Sequence, residues 1–423
     1  MSAGTGGAVK SSAGGLRAHF GLGVLTSINL VNYLDRYLVA ALLPLILKDF
    51  GLSYKEGGAL ATLFIVVYMV AAPLGGYLGD RMPRKVLIAG SVFIWSLATI
   101  GSGLAPSFGW LLVARAAVGI GEAGYGTITP GLISDFYPRE RRTRMLSIFY
   151  TAMPVGAALG FAIGGWVGAA HGWHVAFFVG GVPGLVLSVL SLFIHEPVRG
   201  ATETGPVEEK VPFAVGLRAL GKNGIFWAST LGLTLMTFSV GGLAYWMPTF
   251  LEVERHFAPQ MATAAFGGVT LLAGLFGTLA GGWLGERAER KSNTGGLWVS
   301  GVGLALSAPL VFLTARAMHA PVIFTVVFAA QFLIFMNTGP LNAAICNCVP
   351  PHFRSFAMGV STVILHLLGD APSPYLIGVI GDRFSLGTAI EVNALPLLLS
   401  GAVLLIGARL FRQYLRPAVA AQA

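Results

Sequence analysis

The sequence predicts an all-α membrane protein, with twelve transmembrane helices in two pseudo-symmetric six-helix bundles. Three observations predict it. Apolar runs of about 20 residues or more recur along the chain, basic residues crowd alternate loops, and a ten-residue motif returns in the second half. Only 11% of the 423 residues are charged, and the mean hydropathy is +0.75. A soluble globular chain carries about 25% charged residues, so this composition belongs to another class.

The apolar runs fall at about 19–47, 57–79, 86–105, 108–131, 146–170, 174–195, 224–250, 260–284, 295–315, 320–348, 355–380 and 389–411. Each can cross a hydrocarbon core of roughly 30 Å. Lipid leaves exposed backbone groups unsatisfied, so runs this long and this continuously apolar are expected as helices, not barrel strands.

The formal net charge of +9 raises the question of nucleic acid, and the positions of the 27 Lys and Arg answer it. With the N-terminus in the cytoplasm, Lys48, Lys55, Arg255, Arg316 and Arg383 face outward, and Arg36 and Arg115 lie inside spans. All the others fall in cytoplasmic segments. That asymmetry follows the positive-inside rule. Both termini are therefore expected in the cytoplasm, the chain in the cell membrane (the inner membrane of a bacterium), and no nucleic acid as partner. Residues 1–18 read as a disordered tail, with no apolar segment and cleavage site of a removable signal peptide. Cys346 and Cys348 sit two apart and offer neither a disulfide framework nor a metal quartet, so no metal and no cofactor are expected.

The longest polar stretch, 196–222, divides the spans six and six. It is expected to be a cytoplasmic linker between bundles at 19–195 and 223–411, with a cytoplasmic tail at 412–423. The halves repeat. "GYLGDRMPRK" (Gly76 to Lys85) returns as "GWLGERAERK" (Gly282 to Lys291), each after the second span of its half, and "YPRERRTRM" has a weaker echo in "VPPHFRSFAM". Two repeated six-helix halves around a midplane site form a recurring transporter plan. Gly76 and Gly79 are expected to permit close helix packing. Asp80 would meet the positive N-terminus of a neighbouring helix, and Arg81 and Arg84 would anchor the loop. Glu286 and Arg287 take the equivalent places in the second copy. The first copy resembles the loop signature of the major facilitator superfamily. That resemblance implies a charge network steadying one of two alternating conformations; the plainer alternative is a topology anchor.

Ionisable residues deep in a span are costly and mark a functional site or its partner. The first span holds Asp35 and Arg36, with Asn29, Asn32 and Tyr33 shortly before. The fourth holds Arg115 and Glu122, and the eleventh His366 and Asp370. Arg115 and Glu122, seven apart, share a helix face that Tyr125 and Thr129 continue. Asp35 and Arg36 lie about 100° apart around the helix, so one faces the cavity while the other braces a neighbour. His366 and Asp370 share a face through an i, i+4 step. A salt-bridged network that merely fixes helix packing stays open beside a transport role.

"NYLDRY", the fourth-span segment "ARAAVGIGEAGYGTITPG", "LAYWMP" and "HLLGDAPSP" resemble the signature segments of the Spinster-like branch of that superfamily. The resemblance implies two six-helix bundles working by alternating access, and an amphipathic lipid cargo such as a lysophospholipid or a sphingoid phosphate. Glu122, Asp35 and Arg115 are then candidates for proton coupling. Arg36, Asn29, Asn32, Tyr33, Tyr125, Thr129, His366 and Asp370 are candidates for substrate binding, and a guanidinium suits a phosphate. Glu286 departs from the aspartate of the signature while keeping its charge. Tyr245 and Trp246 before Pro248 read either as an extracellular gate or as interfacial anchors. A monomeric secondary transporter coupled to protons is the expected unit. A lipid uniporter and a drug–proton antiporter are the alternatives, the latter on the glycines at 156, 160, 164 and 165. A membrane-embedded lipid enzyme would need a nucleophile–base pair, for which His366 with Asp370 is the one dyad in the sequence. No phosphate-loop motif is present, so ATP hydrolysis is not expected.

Overall fold

Caps written into the sequence start several of the helices in this computed structural model. It describes residues 15–137, 139–198, 213–292, 294–349 and 354–411, without the side chains of 80, 139, 140, 142–144, 147, 213, 354 and 355. The expected tails, most of the linker and the Asp80 side chain thus lie outside the described residues. In the N-terminal bundle the helices are α1 (Leu16–Phe50), α2 (Tyr54–Arg81), α3 (Arg84–Gly103), α4 (Phe108–Phe136), α5 (Arg139–Tyr150) and α6 (Ala152–Ser191). A short α7 (Phe213–Gly221) lies in the stretch expected as linker. The C-terminal bundle follows with α8 (Gly224–Val253), α9 (Phe266–Lys291), α10 (Gly295–Arg316), α11 (Ala320–Phe335), α12 (Thr338–Asn347), α13 (Arg354–Leu365), α14 (Ser373–Arg383), α15 (Leu386–Val392) and α16 (Ala394–Leu410). No strand occurs among the described residues.

Ten helical stretches are long and apolar enough to span a membrane. They become twelve crossings for two reasons. The 44-residue stretch Ile148–Ser191 is broken at Gly172, whose φ of 82° takes the chain out of the helix. Phe108–Phe136, 29 residues long, is the span that carries Arg115 and Glu122. Ser53 and Glu56 form a capping box on α2, Ser107 caps α4, Asn223 caps α8 and Ser385 caps α15. Gly51, left-handed at φ 63°, ends α1. α1 begins at Leu16, inside the stretch expected as tail. Large apolar side chains cover the outside, among them Val70, Trp166 and Leu279, as lipid contact requires.

Small residues set the helix spacing. A Cβ on Gly156 or Gly160 of α6 would lie 2.4 Å from the carbonyl oxygens of Leu30 or Leu34 on α1, and one on Gly164 would lie 2.4 Å from the Ala41 methyl. This glycine stripe therefore seats α6 on α1, and it lends no support to the antiporter reading. The next glycine turns the other way, with a Cβ on Gly165 colliding with Thr263 of the second bundle.

The bundles meet mainly where α2 crosses α14, α1 packs on α8, and α6 packs on α9. A Cβ on Gly58 would lie 2.3 Å from the Pro374 carbonyl oxygen, and one on Gly378 would lie 2.4 Å from that of Tyr54. Thr62 donates to Ala371 O (2.7 Å), Tyr245 to Gly57 O (2.7 Å), and Asp382 accepts from the start of α2. These described contacts join the halves from mid-depth to the end that carries the α1–α2 turn, the outer end when the N-terminus is cytoplasmic. Tyr245 and Trp246 are buried in this junction, the Trp246 ring edge-on to Tyr54 at 5.6 Å, so they are not interfacial anchors.

Gly160→Val forces side chain into the α1 backbone and is expected to cost about 1–3 kcal/mol of stability. Gly90→Ala on α3, where an added Cβ meets nothing within 4 Å among the described residues, should not lower it. Thermal unfolding of both variants in one detergent checks the contrast.

Candidate functional site

Adjacent charges on α1 point to different partners on α4. Arg36 donates through Nε to Glu122 Oε2 at 2.6 Å, and Arg115 donates through a terminal nitrogen to Asp35 Oδ2 at 3.1 Å. Successive residues of a helix diverge by about 100°, so two partners two turns apart on α4 can each take one. The Asp35–Arg115 pair is sealed, with side chains 1% and 3% exposed. Glu122 is fully buried, while the Arg36 side chain is 26% exposed and lies at the cavity.

Aromatic rings enclose the Arg36 guanidinium. Its centre lies 5.1 Å from the Tyr33 and Tyr68 ring centroids and 5.3 Å from that of Phe64. Phe64 is also 5.3 Å from Arg115, so one ring serves both cations. Among the described residues, Nε makes the one hydrogen bond of Arg36, which leaves its terminal nitrogens for the cavity. Three polar atoms nearby are buried with no hydrogen-bond partner among the described residues: Glu122 Oε1, Asp35 Oδ1 and Asn32 Nδ2. An unsatisfied buried polar atom costs about 1–3 kcal/mol.

The cavity has two lobes that share Tyr33, Arg36, Phe64, His366 and Asp370. A lobe of about 200 Å³ is polar at one wall, with Asn29, Asn32, Glu122 and Tyr125. The second, of about 310 Å³, is lined mostly by apolar groups including Val39, Leu60, Ala244 and Pro374. His366 and Asp370 enter from the other bundle on a π turn, with His366 Nδ1 3.0 Å from both Asp370 oxygens. Such turns widen a helix locally and often mark functional positions.

Several expected site residues do other things. Thr129 is fully buried, bonds back to Tyr125 O at 2.8 Å and does not line the cavity. Tyr125 lines it with its ring, but its hydroxyl donates to Leu25 O at 2.7 Å. Asn29 donates to Phe149 O at 3.2 Å. Phe64 and Tyr68 were not foreseen, because they sit in the uniformly apolar run "ALATLFIVVYMV" with no polar contrast to mark them.

The repeated motif also divides. A Cβ on Gly79 would press on Ile128 (2.7 Å) and one on Gly285 on Pro340 (2.7 Å), but among the described residues Gly76 and Gly282 meet nothing within 4 Å. The second glycine of each copy is the packing one; Gly76 has no neighbour to admit. Arg81 and Arg287 stack on Tyr77 and Trp283 of their own helices, and Glu286 pairs with Arg290 at 2.6 Å on an exposed face. Arg84 is built into a cluster: its guanidinium meets Asp135 (2.6 Å), Glu196 (3.2 Å) and Pro197 O (3.2 Å). Burial pushes the Glu196 carboxyl up, but the backbone N–H groups of Arg84 and Lys85 and the Arg84 guanidinium outweigh it and hold it below its ordinary value.

Two predictions follow from these pairs. Arg115→Leu strands Asp35 and is expected to cost about 3–5 kcal/mol, most of it recovered by adding Asp35→Asn; thermal unfolding of the single and double variants reads this. A carboxylate with a depressed pKa stabilises the fold above its unfolded value and loses that contribution as pH falls through its folded value. Acid unfolding below the ordinary carboxylate range should therefore weaken in Glu196→Gln, which has no such proton to take up; a pH series of melting temperatures checks it.

Comparison with known proteins agrees with this architecture. The Major Facilitator Superfamily family model matches residues 25–374. Protein spinster homolog 1 of Homo sapiens is 40% identical over 383 residues, covering 85% of this chain and 72% of the human one. Protein spinster of Drosophila melanogaster is 35% identical, covering 88% of this chain and 63% of its own. A crystal structure titled as a bacterial homolog to the human lysosomal transporter Spinster, inward-facing and unoccupied, superposes with a TM-score of 0.87 at 23% identity, over 94% of this chain and 98% of that one. A crystal structure likewise described as a bacterial homolog to that transporter, inward-facing and occupied, gives 0.81 at 22% identity, over 92% and 96%. The chain is a multi-pass membrane transporter of the Spinster type and belongs to the major facilitator superfamily.

Proposed function

We propose that this transporter carries an amphipathic lipid with a phosphate in its headgroup, a lysophospholipid or a sphingoid phosphate, by proton-coupled alternating access. The observation that carries the reading is Arg36 at the junction of a polar and an apolar lobe, held by Glu122 through Nε with its terminal nitrogens at the cavity. A guanidinium fits phosphate through several N–H donors, and the apolar lobe suits an acyl chain.

The chemistry is a competition. A phosphate on Arg36 takes over the charge that Glu122 neutralises, and an unpaired carboxylate this deeply buried favours protonation. Glu122 Oε1, without a hydrogen-bond partner, is the natural seat of that proton. Asp35 and Arg115 form the backing pair, and His366 with Asp370 presents a second titratable pair from the opposite bundle. Asn29, Asn32 and Tyr33 complete the polar wall beside Arg36. Bundles at 19–195 and 223–411 would rock about this site, with the 196–222 linker and both termini in the cytoplasm. The junction of the bundles at the outer end fits an inward-facing state of one monomer in the cell membrane.

Purified protein in liposomes with a trapped pH dye, challenged with a lysophospholipid, tests the reading. Lipid-dependent proton movement is expected in the parent and its loss in Glu122→Gln. Arg36→Ala should weaken lipid binding by at least on the order of tenfold. Lipid movement without protons makes the chain a uniporter, and movement of cationic drugs in place of lipid makes it an antiporter.

A further inference from the structure

Three helices of this fold begin on a carboxylate that belongs to another helix or its flank. The first-turn N–H groups of Arg84 and Lys85 donate to Glu196 at 2.9 and 3.3 Å. Those of Leu386 and Gly387 donate to Glu254 at 2.6 and 3.0 Å. In both cases cap and helix lie in the same bundle and move together. The third case differs. Tyr54 and Lys55, opening α2 in the first bundle, donate to Asp382 at the end of α14 in the second, at 2.6 and 2.8 Å.

The start of α2 leaves those two donors for Asp382 and no others. Its capping box pairs Ser53 N with Glu56 Oε2 (2.9 Å) and Glu56 N with Ser53 Oγ (3.3 Å), and Gly57 N turns back to Ser53 O (3.0 Å). Tyr54 N and Lys55 N are the donors that remain, and each takes one oxygen of Asp382. Carboxylate and helix N-terminus also attract through the helix dipole. Lys55 reaches the same helix, its Nζ 5.8 Å from the Tyr375 ring centroid.

The sequence marks the same aspartate. Gly378 to Arg383 reads G-V-I-G-D-R, a third occurrence of the G-x-x-G-acid-R pattern at Gly76 to Arg81 and Gly282 to Arg287. The first two stand at the inner ends of α2 and α9, and the third at the outer end of α14. Nested repeats of inverted topology produce that relation.

We propose that Asp382 is a latch on the outer end, holding the start of α2 and released each time the bundles part there. The latch rests on the alternating-access reading. Opening the outer end draws Tyr54 and Lys55 off the carboxylate, so Asp382 sets how often the outward-open state is visited and takes no part in binding cargo.

Spin labels at Leu104→Cys and Met318→Cys, on exposed turns at the outer ends of the two bundles, report the separation by pulsed dipolar spectroscopy. The background carries Cys346→Ser and Cys348→Ser. In Asp382→Ala the long-distance population is expected to rise on the order of tenfold over the parent. Lys55→Pro keeps the first turn of α2 but removes one donor, and should give a smaller rise. Glu254→Gln, a cap within one bundle, should lower the melting temperature and leave the distances unchanged. Unchanged distances in both Asp382→Ala and Lys55→Pro overturn the latch. An equal rise in Glu254→Gln overturns it too, since the shift is then a general response to a lost cap. Lipid flux of the unlabelled parent reads the transport proposal separately and is untouched by either result.

Discussion

The cost of holding charge in a low-dielectric interior governs the centre of this protein. Asp35 and Arg36 stand side by side on α1, and each must find its opposite on another helix or unbalance the fold. α4 supplies Arg115 and Glu122 two turns apart, and that spacing fixes the rotation and depth of α4 against α1. The glycine stripe that seats α6 on α1 and the Phe64 ring shared by both guanidiniums hold the same geometry from other sides.

The two pairs are unequal, and the inequality gives the site its direction. Asp35–Arg115 is the more deeply buried pair, with Arg115 reaching only the apolar lobe. Arg36–Glu122 opens on one side only, with the cation toward the space and the carboxylate behind it. His366 and Asp370 face the same space from the second bundle. The contacts between the bundles are of another kind: small residues, carbonyls and one carboxylate, which can part without stranding a buried charge.

Much of the plan was legible in the sequence. Twelve spans and the set of buried charges are both statements of polarity along one dimension. What polarity does not encode stayed hidden. Either of Asp35 and Arg36 suits a cavity, and only the rotation of α4 decides. Thr129 shares a periodic face with Tyr125, yet its hydroxyl returns to its own helix. Gly76 and Gly79 look alike in the motif, and only one meets a neighbour. Phe64 and Tyr68 vanish into an apolar run. Glu196 and Glu254 sit near span ends, and the helix starts they cap lie far along the chain from them.

The most direct measurement is the number of protons exchanged when a lysophospholipid binds the purified protein, read by calorimetry in buffers of different ionisation heat. If phosphate displaces Glu122 from Arg36, binding takes up about one proton per lipid, and Glu122→Gln abolishes the buffer dependence. A binding heat independent of buffer in the parent protein would contradict the coupling of Arg36, Glu122 and cargo.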